Sequence, residues 1–191
     1  MRRKTKIVLL RILSTLGRYS VGTTYRRGGF GYLRKTISGW NNAAKGRPFI
    51  VLTDLDRYVC PNALIEDWLG RPPHPNLLFR IAVHEVEAWL LADRLNISRF
   101  LQVSEKFVPL NADDLVDPKG TLVSVARRSR SGSIRGRLAP KRGSTAKQGQ
   151  DYNGCLGEFV RTSWNVGAAA SGSASLRRTI DRLVKFEPLW T

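Results

Sequence analysis

Two apolar runs, the continuous PFIVLT at 48–53 and NLLFRIAV at 76–83, which is apolar apart from Asn76 and Arg80, constrain the fold of this chain more than any other feature. Neither alternates apolar with polar residues, the pattern expected of strands covered on both faces. Between them Pro61 stands where a helix can start, Leu64, Ile65, Trp68 and Leu69 follow at helical spacing, and Gly70 supplies a stop. The second run passes directly into HEVEAWLLADRL, which reads as a helix. Strand, helix, strand, helix in this rhythm predicts an α/β fold with a small parallel sheet flanked by helices. Ligand sites in such sheets lie beyond the carboxyl ends of the strands.

Carboxylates occupy those ends. The first run leads into Asp54 and Asp56, the second into Glu85 and Glu87, and DDLVDPK adds Asp113, Asp114, Asp117 and Lys119. A strand has a period of two, so Asp54 and Asp56 project to one side if extended geometry persists through them. Carboxylates this close repel one another unless a cation sits beside them. Mg²⁺ (or Mn²⁺) answers that need, because a hard ion of this kind takes oxygen ligands from one or two carboxylates and completes its shell with water and phosphate. The alternative for such a pair is a turn or a helix cap. Glu85 and Glu87 point to nearly opposite sides of a regular helix, so one serves the site while the other caps the helix or pairs with an arginine. HEVEAW lacks the second histidine of HExxH, which excludes a zinc protease.

Charge sharpens the contrast. The net charge is +17, and it divides by position into +12 over residues 1–53, with no acidic residue, −5 over 54–117 and +10 over 118–191. An acidic centre between cationic arms suits an enzyme acting on a polyanion, with arginines and lysines holding phosphates and the carboxylates holding a cation. The alternative is a basic, ribosome-like protein with a solvated charged face. Candidate nucleic-acid contacts are Arg26, Arg27, Arg57, Arg135, Arg137, Lys141 and Arg142. The two cysteines, Cys60 and Cys155, have neither zinc nor disulfide-framework spacing, and a reducing compartment is expected. Arg11 interrupts the opening apolar run and no segment approaches the roughly 20 apolar residues of a membrane span, so no export signal and a cytoplasmic location are expected.

Elsewhere a helix is expected over 5–19, a short strand in VGTTYRRGGFGY, and a helix carrying Leu33, Ile37, Trp40 and Ala44. Residues 129–150 hold six basic residues, no acidic one and little apolar periodicity, which predicts an irregular basic extension acting as a lid or arm, or else a solvated loop. Two helices, around LGEFVRTSW and SLRRTIDRLVKF, close the chain. The expected division is an α/β unit over 1–128, a basic arm over 129–151 and C-terminal helices over 152–191.

The runs VLTDLDRYVCPNALIEDWLG, HPNLLFRIAVHEVEAWLLADR and DPKGTL, with GGFGYLRKTI, GQDYN and SLRR, resemble an uncharacterised TOPRIM-like family of bacterial proteins associated with mobile or defence-related gene neighbourhoods. AVHEVEAWLLAD is the most specific part. The resemblance implies a TOPRIM-like core and Mg²⁺-dependent phosphodiester chemistry on nucleic acid, in phage or plasmid defence, with a protein partner from a neighbouring gene. It implies Asp54 and Asp56 as the DxD metal ligands with Glu85 or Glu87 as a further site carboxylate. The candidate catalytic set is Asp54, Asp56, Glu87 and Lys119, in which the role of Lys119, stabilising phosphate charge, is an extension beyond the resemblance. TOPRIM domains also carry a glutamate on a strand before the DxD, and no acidic residue precedes Asp54. A chain begun late or a lost ligand is therefore expected, the latter giving a nucleic-acid-binding protein without turnover. A third reading takes DLDRYV as the nucleophile motif of haloacid-dehalogenase-like phosphatases, with Asp54 attacking phosphate; that motif ordinarily opens the chain, whereas here 53 residues precede it.

Overall fold

The computed structural model describes residues 3–25 and 29–190, with the backbone alone at Arg3. Its two apolar runs are strands, β1 (Phe49–Asp54) and β2 (Leu77–Ala82), paired in parallel from Phe49 opposite Leu77 to Asp54 opposite Ala82. Among the described residues these two strands make up the sheet. Helix α3 (Pro61–Leu69) connects them, opening on a proline and closing at Gly70, whose φ of 60° lets its N–H turn back to the Glu66 carbonyl.

Both faces of the sheet are covered. Val51, Leu77, Phe79 and Ile81 face Ile37 of α2 (Phe30–Ala43) and Leu64 and Trp68 of α3. Leu52, Leu78 and Ala82 join the larger apolar body on the other side. That body contains the Val8, Leu9, Ile12, Leu13 stripe of α1 (Arg3–Leu16) and every residue of α4 (Val86–Ala92) except Glu87, in a helix that is buried throughout. Around it lie α5 (Arg94–Leu101), two single 3₁₀ turns at Glu105–Phe107 and Ala112–Asp114, α6 (Pro118–Arg127), α7 (Gly132–Leu138), α8 (Tyr152–Thr162), α9 (Val166–Gly172) and α10 (Ala174–Val184). Helix α1 packs closely on α8 at Gly157, where an added Cβ would stand 2.9 Å from Ile7 Cδ1.

The fold is mixed α/β, as the sequence predicts, and differs from expectation in four places. Residues 21–25 carry no regular structure where a short strand was expected; the rest of that run up to Gly28 lies outside the described residues. The helix read from HEVEAWLLADRL is two helices, because Asp93 leaves helical geometry and turns its buried carboxylate to the Asn165 backbone N–H at 2.7 Å and the Asn96 amide at 3.0 Å. Residues 129–150 are irregular only in part: 139–150 carry no regular structure and 141–147 are exposed, but the segment before them is not irregular. It contains α7, capped by Ser131 and seated in the core through Leu138 and Ala139, with Ile134 packed alongside. The closing segment holds three helices rather than two. One apolar body therefore takes residues from 1–128, 129–151 and 152–191 alike. No described helix is long and apolar enough to cross a membrane.

Candidate active site

Strand β1 ends at Asp54, but the chain stays pinned for one further residue. The Leu55 N–H lies 2.9 Å from the Ala82 carbonyl and 3.0 Å from that of His84, and its side chain is buried. Asp56 then takes a left-handed φ of 55°, a conformation that aspartate tolerates better than most residues because its short side chain can bond locally. Strand geometry therefore does not persist through the pair, yet Asp54 and Asp56 still line one cleft. Thr5 of α1, Gly29, Phe30 and Leu33 at the start of α2, Leu52, Thr53 and Glu85 complete it, around a volume of about 80 Å³.

The second acidic pair is divided by the start of α4. Asp54 Oδ1 accepts the Val86 N–H at 2.9 Å, satisfying one of the donors that a helix leaves unpaired in its first turn. Glu85, extended at the helix entry, turns its carboxylate into the cleft, where Oε2 accepts the Lys119 backbone N–H at 3.1 Å. That donor belongs to the first turn of α6, which is fixed by Pro118 and by Asp117 accepting the Gly120 N–H at 2.8 Å. Burial holds the Glu85 carboxyl above its ordinary range; the charges of Glu87 and Asp54 push the same way, while Lys119 and Lys4 oppose them.

Glu87 does not line the cleft. It is fully buried behind it, ion-paired to Lys4 of α1 and accepting the Tyr152 hydroxyl at 3.0 Å, while its Oε2 has no hydrogen-bond partner among the described residues. Burial, together with the adjacent Glu87 charge, raises the Tyr152 pKa. Two ammonium groups approach the Tyr152 ring, Lys4 Nζ at 5.8 Å and Lys119 Nζ at 6.0 Å from its centre. Thus a layer of Lys4, Glu87 and Tyr152 underlies the carboxylate cleft, with Lys119 half-buried nearby. Sequence reasoning missed Lys4 and Tyr152. The signal for Lys4 is its register: the α1 stripe through Ile12 and Val8, continued back by four residues, reaches position 4.

The other predicted residues are scattered. Arg57 is exposed beside Asp56, and Lys141 and Arg142 are exposed after α7. Arg135 donates to the Ser129 carbonyl, and Arg137 is committed to Asp151 and Glu158 at 2.8 and 2.9 Å, so both serve the attachment of α7. Arg26 and Arg27 lie outside the described residues.

As a donor set, Asp54, Asp56 and Glu85 offer the hard oxygens that Mg²⁺ or Mn²⁺ takes. Among the described residues no three His, Cys, Asp or Glu side chains are grouped closely enough to hold an ion by themselves. The cleft therefore fits an ion held by one or two carboxylates, with water and a substrate phosphate supplying the rest, and does not fit a closed structural site. No protein-family model, curated protein or solved structure matches the chain.

Proposed function

We propose that this chain is a metal-dependent phosphodiesterase of nuclease type, with a TOPRIM-like arrangement of carboxylates at the ends of its parallel strands. The observation that carries the reading is the convergence of Asp54, Asp56 and Glu85 on one cleft in a protein of net charge +17. Burial, and after it the charges of Glu87 and Asp54, raise the Glu85 pKa, and a perturbed carboxylate in a cleft is the kind of group that functional sites carry. A bound Mg²⁺ or Mn²⁺ would polarise the phosphate and lower the pKa of a coordinated water. One or two of Asp54, Asp56 and Glu85 would hold it, with water and the phosphate completing its shell. The first turn of α6 fixes the Glu85 carboxylate through the Lys119 N–H, and the Lys119 ammonium supplies a positive charge for phosphate near the site. Lys4 and Tyr152 confine Glu87 beneath it and so set the position of α4. Exposed cations such as Arg57 retain the polyanionic strand by charge.

The test is cleavage of labelled DNA and RNA with Mg²⁺, with Mn²⁺ and with chelator. Asp54→Asn keeps an acceptor for the Val86 N–H and so separates chemistry from folding. It, Asp56→Ala and Glu85→Gln should each slow cleavage on the order of 100-fold or more. Undiminished cleavage in these variants removes the proposed site. The second reading, a nucleic-acid-binding protein without turnover, is favoured by the lack of a group of three metal-binding side chains among the described residues. It predicts salt-sensitive binding with no cleavage under either metal.

A further inference from the structure

A second cavity, of about 560 Å³, lies between α1, residues 18–25, α2, β1 and the C-terminal segment. Its size falls within the roughly 300–1,000 Å³ of small-molecule sites. Its wall is a run of aromatic rings: Tyr25 and Trp40 have centres 4.7 Å apart, Trp40 and Phe49 5.4 Å apart, and the Arg47 guanidinium lies 5.2 Å from the centre of Phe49. Trp190 contributes a further ring, and Lys6 and Arg47 supply positive charge. Trp190 is 72% and Tyr25 46% exposed, so apolar ring area remains that folding does not bury. Rings with cations between them form the surface on which unpaired bases stack while arginine and lysine follow the phosphates.

This cavity adjoins the carboxylate cleft, since Leu33 and Leu52 line both. A strand with a phosphate at the carboxylate cleft would therefore have this cavity next to it. A duplex cannot use that wall, because its bases are stacked and paired inside the helix and must be extruded at a cost. We propose that the aromatic cavity receives an unpaired base of the strand whose phosphate occupies the carboxylate cleft, so that the substrate is single-stranded nucleic acid. The substrate assignment rests on the hydrolytic reading above; base binding in the cavity does not.

Binding of single-stranded DNA and RNA oligonucleotides, and of the corresponding duplexes, to the full chain in chelator tests this, with cleavage in Mg²⁺ and Mn²⁺ measured alongside. Single strands should bind more tightly than duplexes. Tyr25→Ala and Trp190→Ala, at exposed positions, should each weaken single-strand binding on the order of tenfold and leave duplex binding unchanged. A preference between DNA and RNA single strands would identify which of the two the cavity takes. Equal affinity for single strand and duplex, or unaltered binding in both variants, overturns the proposal even if cleavage is observed. Single-strand selectivity that depends on Tyr25 and Trp190, without cleavage under either metal, supports the base site and sinks the hydrolytic reading.

Discussion

Lys4 and Glu87 are 1% and 0% exposed, so each charge depends on the other for the solvation it has lost. Truncating one partner of such a pair strands the other in a medium that cannot solvate it, whereas neutralising both removes the problem with the charges. Lys4→Met should therefore destabilise the protein by about 3–5 kcal/mol in denaturant unfolding. Lys4→Met with Glu87→Gln should recover more than half of that loss, since the amide oxygen still accepts the Tyr152 hydroxyl. A double variant as unstable as the single one would mean that Lys4 acts through packing rather than charge. The pair also marks a limit of reading residues in sequence. HEVE announces two glutamates two positions apart, and helical geometry requires that they part company, but the partner of Glu87 is 83 positions away and carries no local mark beyond its helical register. Asp54 was legible because it ends an apolar strand, whereas the sequence offered Glu85 and Glu87 as alternatives and carried no mark of which one faces the cleft.

At the scale of elements, legibility follows the number of apolar positions that repeat. Strand β1 is a continuous apolar run up to Thr53, β2 is apolar but for Arg80, and α3 has both a start and a stop written in its sequence. Helix α7 has neither advantage: GSIRGRL contains two glycines and two arginines, and its apolar content is the single i, i+4 pair Ile134 and Leu138. Tertiary contact supplies what local propensity lacks, through burial of Leu138 and Ala139 and through Arg137 bridging to Asp151 and Glu158. Leu138→Ala should then cost about 2–5 kcal/mol, the range for a core leucine, with one cooperative unfolding transition. A solvated arm at this position would lose almost nothing. Residues 21–25 illustrate the converse. Their β-formers lack a strand to pair with, and they line the aromatic cavity instead.

For the molecule as a whole, two electrostatic effects act in opposite directions as pH rises through the carboxylate range. Ionising carboxylates lowers a large positive net charge and relieves self-repulsion, which stabilises the folded state. Glu85 opposes this. Its folded pKa is raised, first by burial and then by Glu87 and Asp54, so the folded protein binds that proton more tightly than the unfolded chain. By linkage, its contribution to stability is greatest below the unfolded pKa, declines as pH rises from there through the folded pKa, and is level above it. Glu85→Gln keeps an oxygen for the Lys119 N–H and removes the titration. Thermal unfolding of both proteins, followed from near pH 4 to near pH 8 at fixed ionic strength and in chelator, should show them closest at the acidic end. The variant should become progressively the more stable of the two toward neutral pH, with the gap level at the upper end. A gap independent of pH, or one favouring the native residue as pH rises, would contradict the burial of a costly charge at this cleft. A carboxylate that lowers stability at neutral pH is the kind of residue that folding alone would replace, and on the proposed hydrolytic reading its removal should raise stability and slow cleavage together.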